Sequence, residues 1–568
     1  MSSKNKRAPS PSSSTSSTST EHLIVDITEI LPGRGIQHNL ADMSLQSNSS
    51  TSSSNIARRS QAADNLNRTL LFGESERPDD LTADWSYVSD KNAQKRVEHA
   101  TSDLDTFIHL LKGNVGIGLL SIPLATKNAG YIAGTIGILV IGVIAMHCMT
   151  MLVDCASKLC EWNDISALDY SETMQFALKE RGASSRVSRA GKIVVNVFLV
   201  ITQFGFCSVY FVFIGETLKL LLDQAYCLNV SKEAWIAAVI LPVMIFCWIR
   251  NLDNLAPLSI IANVAIFLGL VFIFYDEFFR LTTSDDEYKA PFRLGDISFN
   301  NSGNTSFSSE TQLHSFGTII GTSLFFGNVV YSFEGIGVIL PLENKMKTPQ
   351  HAKRVIYVGM ILIVLLYTFF GLIGYLSYGE SIQASVTLNL CGRSAATTIM
   401  FLIVQLLFIL NTFVSYLLQF YVPMDFLEPP LYKKLKLDYL TYKFPKYHNV
   451  IKTAVQLGFR SGLVLITAVL ALSIPNLDDL ITLVGAVASS GLAMIFPPLI
   501  HSLTYWKTKT RVPKVVWFTK DVVIIVVGSL GFLFGTFAAF HSIVNDFQHK
   551  PDEITCAPSF QSSCAVVD

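Results

Sequence analysis

Residues His109 to Gly130, HLLKGNVGIGLLSIPLATKNAG, constrain this chain more than any other stretch. The segment is apolar and long enough to enter a bilayer. It nonetheless contains Lys112, Asn114, Pro123 and the glycines Gly113, Gly116, Gly118 and Gly130. A helix serving only as an anchor gains nothing from that mixture. In hydrocarbon every backbone N–H and C=O needs a partner, so a glycine-broken helix persists only where it lines a cavity. Breaks of this kind near the bilayer midplane form solute sites in many secondary transporters.

The rest of the chain agrees with a membrane setting. Of 568 residues, half are hydrophobic and 15% charged, against about 25% charged in soluble domains. The mean hydropathy is +0.41, although a polar N-terminal segment dilutes it. The remainder of the chain is enough for roughly ten or more spans of ~20 residues. The formal net charge of −1 gives no sign of a nucleic-acid partner. Met1 opens a Ser-rich run with no signal-peptide core, so the first internal span is expected to act as the targeting signal. Residues 1–100 contain Ser/Thr-rich patches at Ser10–Thr20 and Ser44–Ser54, with too few apolar residues to offset chain entropy. They read as a disordered cytosolic tail, a spacer or a carrier of phosphosites. Leu70-Leu71 resembles a sorting dileucine without its spaced acidic residue.

Hydropathy and Pro/Gly punctuation predict an all-α membrane domain over 101–545, with a C-terminal tail over 546–568. Eleven helices are expected at 106–126, 131–155, 192–222, 234–250, 256–279, 315–341, 354–376, 395–422, 453–474, 480–503 and 522–544. Lys and Arg concentrate in alternate loops, after helices 2, 6, 8 and 10. The positive-inside rule then puts the N-terminus in the cytosol and the C-terminus outside or in a lumen. Sequons at Asn229, Asn300 and Asn304 fall in outside loops, marking a candidate glycoprotein. Cys227 and Cys391 also fall in outside loops, where a disulfide is permitted, and Cys556 and Cys564 lie in the outside tail. The remaining cysteines read as small buried thiols. No Cys/His cluster has metal-ligand spacing, and no metal or cofactor is implied.

Helix 6 repeats the peculiarity of helix 1. It carries Gly327-Asn328, then Ser332-Phe333-Glu334-Gly335-Ile336-Gly337. Two Gly-interrupted spans five apart predict a 5+5 inverted repeat, with helix 11 as an addition. Unwinding at Gly116, Ile117 and Gly118 exposes N–H groups and the positive end of the next half-helix, which favours a carboxylate. Unwinding over Ser332, Phe333 and Gly335 exposes carbonyls, which favour an ammonium. The pair complements a zwitterion, hence an amino acid, with Asn114 beside the glycines and Asn328 and Phe333 shaping a side-chain pocket. The competing reading is that these glycines only allow close helix packing.

Among ionisable groups, His109 lies one turn before the glycines, placed either to carry a proton or to touch headgroups. Glu334 is a proton acceptor, an attractor for the ammonium, or a structural acceptor for freed amides. Lys112 either balances Glu334 or snorkels to the interface. Glu216 is a weaker candidate, and Asp276 and Glu277 read as interfacial.

With these residues in view, the chain resembles the proton-coupled amino acid transporter family, of the amino acid/auxin permease branch. Further matching stretches are AMHCMTMLVDCA, ITQFGFCSVYFVF, WIRNL, YSFEGIGVILPLENKM, GYLSYG, VTLNL and LQFYVPMD. The likeness runs from about residue 100 to the end, which leaves out the Ser-rich tail. It implies a leucine-transporter-like fold of eleven helices and symport of protons with small neutral amino acids of the glycine, alanine and proline class. It also implies proton coupling at His109 and pairing of Cys227 with Cys391. One departure is Val115 and Ile117 where relatives commonly carry Ile and Thr. The lost hydroxyl bears on substrate range, and on an alternative role as an endolysosomal amino acid sensor whose tail recruits a signalling partner. Sodium coupling is the chief alternative within transport. Nothing resembles a nucleophile–base pair or a selectivity ring, so an enzyme or channel is not expected. The host membrane is plasma membrane, endolysosomal membrane or both.

Overall fold

The computed structural model describes residues 101–226, 228, 230–249, 256–283, 298–299, 305–306, 313–390, 395–435, 448–474, 476–506 and 513–548. The expectations for the tail over 1–100, for residues beyond 548, for Cys227 and Cys391, and for Asn229, Asn300 and Asn304 lie outside them.

The first span is two helices. α1 (Asp103–Asn114) starts in a capping box: the Asp105 N–H donates to Ser102 Oγ at 3.2 Å, and the Ser102 N–H donates to Asp105 Oδ2 at 3.2 Å. Val115 and Gly116 are extended, and α2 (Ile117–Ala129) resumes after a bend of 50°. α3 (Tyr131–Asn163), α4 (Tyr170–Arg181) and α5 (Ser185–Tyr226) come after it. α4 is a twelve-residue helix within the segment expected as a loop between helices 2 and 3. Its sequence is too polar to read as a span, yet Tyr170, Met174 and Ala177 are buried. α6 (Lys232–Cys247) and α7 (Ala256–Thr282) come next. Two-residue strands β1 (Ser298–Phe299) and β2 (Thr305–Ser306) pair antiparallel.

The sixth span is also broken. α8 (Ile319–Ser332) and α9 (Ile336–Lys345) flank Phe333, Glu334 and Gly335. α10 (Ala352–Tyr378), α11 (Ala395–Lys434) and α12 (His448–Ser473) are continuous. The tenth span runs through α13 (Leu477–Val484), π-helical turns over Gly485–Ser489 and Gly491–Ile495, and α14 (Phe496–Tyr505). α15 (Lys514–Gln548) closes the series.

Among the described residues nine helical stretches are long and apolar enough to cross a membrane, and the bent α1–α2 pair makes ten. α6 lies where an eleventh was expected. With sixteen residues it spans about 24 Å, short of a ~30 Å hydrocarbon core. With short α6 counted as a span, the two broken spans are the first and the sixth, five apart as the inverted-repeat reading requires. The spans over Ile319–Lys345 and Leu477–Tyr505 are the most enclosed, 72% and 78% buried, whereas those of α12 and α15 are 28% buried. The core therefore sits around the sixth and tenth spans. Exposed Phe267 and Val264 on α7 and Leu533, Phe534 and Phe537 on α15 form an apolar outer face suited to lipid. Cys148, Cys155, Cys207 and Cys247 are buried, as expected, whereas Cys160, expected to be buried as well, is half-buried.

Candidate functional site

The two breaks meet. α2 packs on α8 closely enough that a Cβ on Gly118 would stand 2.8 Å from Ser332 Cα, so only glycine permits that approach. One turn away, a Cβ on Gly335 would stand 2.7 Å from Asn114 Oδ1. Gly116 differs: a methyl group there would meet no atom within 4 Å. Space is therefore left open where the first span loses its helix.

Helix ends leave backbone groups without partners, and these ends are only partly repaired. The N–H groups of Gly116, Ile117 and Gly118 donate to no described group, and the Phe333 and Glu334 carbonyls receive no described donor. The Leu119 N–H bonds to Gly116 O at 3.1 Å, and the Phe333 N–H to Val329 O at 3.0 Å. Tyr367 on α10 completes both C-terminal ends. Its hydroxyl lies 2.6 Å from Asn114 O and 3.2 Å from Ser332 O.

A polar chain holds the two spans in register. Ser332 Oγ lies 2.9 Å from both Gly118 O and Asn328 O. Ser121 Oγ lies 2.9 Å from Gly118 O and 2.8 Å from Asn328 Oδ1. Asn328 Nδ2 donates to Asp478 Oδ1 of α13 at 2.9 Å, which ties in the tenth span. That span approaches α8 still closer at Gly485, where a Cβ would strike Gly327 O. Widened π-helical turns recur at functional sites, and here they lie against the C-terminal half of α8.

Asn114, Ile117, Gly118, Asn328, Ser332 and Phe333 are all brought together and buried. Asn114 Nδ2 donates to Leu110 O at 2.9 Å, and its Oδ1 is buried without a partner among the described residues. Phe333 lies against Tyr367, ring centroids 5.0 Å apart. Asn328 is committed to Ser121 and Asp478, so it braces the break rather than standing free as a pocket wall. Glu334 is buried and accepts from the Gly337 N–H, capping the start of α9, while its Oε2 has no partner among the described residues.

The ionisable groups expected near the site separate. His109 is on the exposed face of α1, about five residues or ~7.5 Å along the axis from the break. Among the described residues no hydrogen bond or ion pair joins His109 or Lys112 to Glu334. Glu216 is buried and paired with Lys232 at 3.4 Å. Asp276 and Glu277, read as interfacial, lie near the end of α7 and are 4% and 0% exposed, so protein rather than solvent encloses them there. α7 turns their side chains toward α10, where Tyr378 and Gly374 lie, an orientation hydropathy does not report.

Tyr367, Ser121 and Asp478 were missed from the sequence. Ser121 is a single polar residue in an apolar run, Asp478 is one of an Asp pair at the start of α13, and Tyr367 is one aromatic among many. Only their long-range partners mark them.

A family model described as transmembrane amino acid transporter protein matches residues 99–541. The chain is 29% identical over 460 residues to the Drosophila melanogaster proton-coupled amino acid transporter-like protein pathetic, covering 80% of this chain and 87% of that protein. It is 27% identical over 471 residues to the Arabidopsis thaliana amino acid transporter AVT3C, covering 78% and 91%. Among solved structures, inward-facing Mhp1 aligns with a TM-score of 0.41 and 14% identity, covering 83% of this chain and 92% of that one. MhsT in complex with L-phenylalanine aligns with a TM-score of 0.38 and 15% identity, covering 79% and 99%. The family match extends over both broken helices and every continuous span between them, and this chain belongs to the transmembrane amino acid transporter family.

Proposed function

We propose that this chain carries small neutral amino acids of the glycine, alanine and proline class into the cytosol, coupled to protons, by alternating access. Amino acid transport by a multi-pass membrane protein, rather than enzymatic activity, follows from family membership. The observation that carries the finer reading is the pair of unpartnered backbone ends. The amides at Gly116–Gly118 and the carbonyls at Phe333–Glu334 lie on helices joined through the Gly118–Ser332 contact. The first set suits a carboxylate and the second an ammonium. Open space beside Gly116 supports placing the carboxylate there. Phe333 and Ile117 supply apolar walls that favour a small side chain.

Proton coupling at His109 rests on the resemblance of its motif, with Glu334 as the buried carboxyl beside the site. The cytosolic N-terminus, the plasma or endolysosomal location, the outside disulfide and the glycosylation sites belong to the same reading. Uptake of radiolabelled alanine into proteoliposomes under an inward proton gradient tests it. Saturable, gradient-dependent uptake that persists without sodium is expected. Folded protein that shows no such uptake would refute the proposal.

A further inference from the structure

The end of α7 contains a carboxylate that the proposed transport site does not use. Glu277 is fully buried, and neither carboxylate oxygen has a hydrogen-bond partner among the described residues. Its neighbour Asp276 is amply paired: Arg280 Nε donates to Asp276 Oδ2 at 2.8 Å, and Tyr378 Oη donates to the same oxygen at 2.7 Å. Glu277 instead faces a contact between two other spans. A Cβ on Gly374 of α10 would stand 2.6 Å from the Pro123 ring of α2 and 3.0 Å from Glu277 Oε1. Ser377 Oγ donates to Glu277 O at 3.0 Å and fixes α10 against α7 at this level.

Pro123 belongs to the half-helix that begins at the proposed substrate break, and it meets Gly374 at the point Glu277 Oε1 also approaches, so Glu277 borders the α2–α10 contact. An ionised carboxylate sealed beside the contact of Pro123 with Gly374 would be a buried charge without a partner among the described residues, which is unfavourable unless the group is neutral. Ionisable groups inside a span are functional by default for that reason. The titratable groups around this corner are Asp276 and Arg280 on α7, Tyr375, Tyr378 and Glu380 at the end of α10, and Lys127 at the end of α2. Lys127 is engaged by Glu380, with Nζ 2.6 Å from Glu380 O and 3.4 Å from Oε2. The first turns of α11, over 395–405, carry no titratable residue.

We propose that Glu277 is a proton-carrying residue of the transport cycle, loaded before the contact between α2 and α10 closes over it. The proton bonds to one carboxylate oxygen while that end is open, stays on that oxygen while α2 and α10 are closed, and leaves it toward the opposite side of the membrane before α2 and α10 part again. Loss of the proton restores a negative carboxylate that the closed contact disfavours. Closure of this end, and so progress of the bound amino acid, is thereby tied to protonation. The inference rests on the proton-symport reading and adds a further group to His109 and Glu334.

Full-length wild-type and Glu277→Gln proteins in proteoliposomes, with radiolabelled alanine, provide the test. Counterflow at equal pH on both sides is expected to survive in E277Q. Gradient-driven accumulation and alanine-induced proton entry are expected to be lost. Wild-type accumulation by E277Q would overturn the assignment. Infrared difference spectra give a second readout that needs no transport. A band of a protonated, non-hydrogen-bonded carboxyl is expected in the wild type at neutral pH, absent in E277Q and shifted in Glu277→Asp. If E277Q does not fold, an unshifted band in E277D overturns the proposal. Wild-type counterflow without any response to a proton gradient would refute symport instead, and would leave the infrared result to judge Glu277.

Discussion

At the scale of single residues, neighbouring glycines in one motif do different work. Gly118 is where two backbones touch, whereas Gly116 borders open space and has an extended conformation open to any residue. Gly118→Ala should push α8 away and destabilise the protein by about 1–3 kcal/mol, the usual cost of overpacking. Gly116→Ala should leave thermal stability near wild type. Unfolding temperatures in detergent distinguish the two, and equal losses would show that both glycines serve packing alone. Tyr367 is a second case. Its hydroxyl is the donor for the carbonyl ends of both broken spans. Tyr367→Phe removes the one proton that these two buried carbonyls share, at about 1–3 kcal/mol for an acceptor left unsatisfied. The melting temperature should fall although only one oxygen is removed; an unchanged value would mean that those carbonyls find other partners.

At the scale of elements, the broken spans are held by neighbours that remain continuous. α10 runs beside the first span and is tied to it at both ends. His351 Nδ1 lies 2.7 Å from Asp103 Oδ2 just before α10 begins, and Lys127 meets Glu380 just after it finishes. A further brace joins α6, α11 and α12. Arg460 Nε donates to Glu428 Oε1 at 2.7 Å, and Nη1 donates to Cys247 O and Ile249 O at 3.1 Å each. Gln456 and Tyr432 complete the Glu428 carboxylate at 3.0 and 3.1 Å. Arg460→Met leaves Glu428 charged and largely enclosed, a loss of about 3–5 kcal/mol for breaking such a pair. Adding Glu428→Leu removes the stranded charge and should recover part of that loss. Thermal unfolding of the single and double variants checks this, and a double variant worse than R460M would contradict it.

At the scale of the whole molecule, the described residues form one helical membrane body whose most enclosed spans are those that carry the second break and the π-helical turns. Its N-terminal edge is set by Thr101. The Thr101 N–H donates to Lys345 O at 2.8 Å, and the Lys347 N–H donates to Thr101 O at 3.0 Å, so the lead into α1 is fastened to the end of α9. Removing residues 1–90 spares that fastening. A carrier so shortened should take up alanine at the wild-type rate, whereas a sensor that works through its tail should lose its signalling. Uptake abolished by the truncation in correctly inserted protein would count against a freestanding transport domain.

The sequence by itself determined where the spans lie and which two are interrupted. Hydropathy acts through local transfer to lipid, and glycine runs act through local backbone freedom, so both can be read without knowing what packs where. The interruptions at Val115–Gly116 and Phe333–Gly335 accordingly fall within the motifs, although Ile117 and Gly118, expected to be unwound, already belong to α2, and Ser332 still belongs to α8. Tertiary structure alone decided what completes those interruptions. Tyr367 reaches Asn114 across 253 residues, and Asn328 reaches Asp478 across 150. It also decided that Asp276 and Glu277 are enclosed by neighbouring helices, and that His109 faces outward. Those outcomes depend on helix rotation and on neighbours distant in the chain, and a buried hydrogen bond or an unpaired charge has no energy to speak of until both sides of the contact are in place.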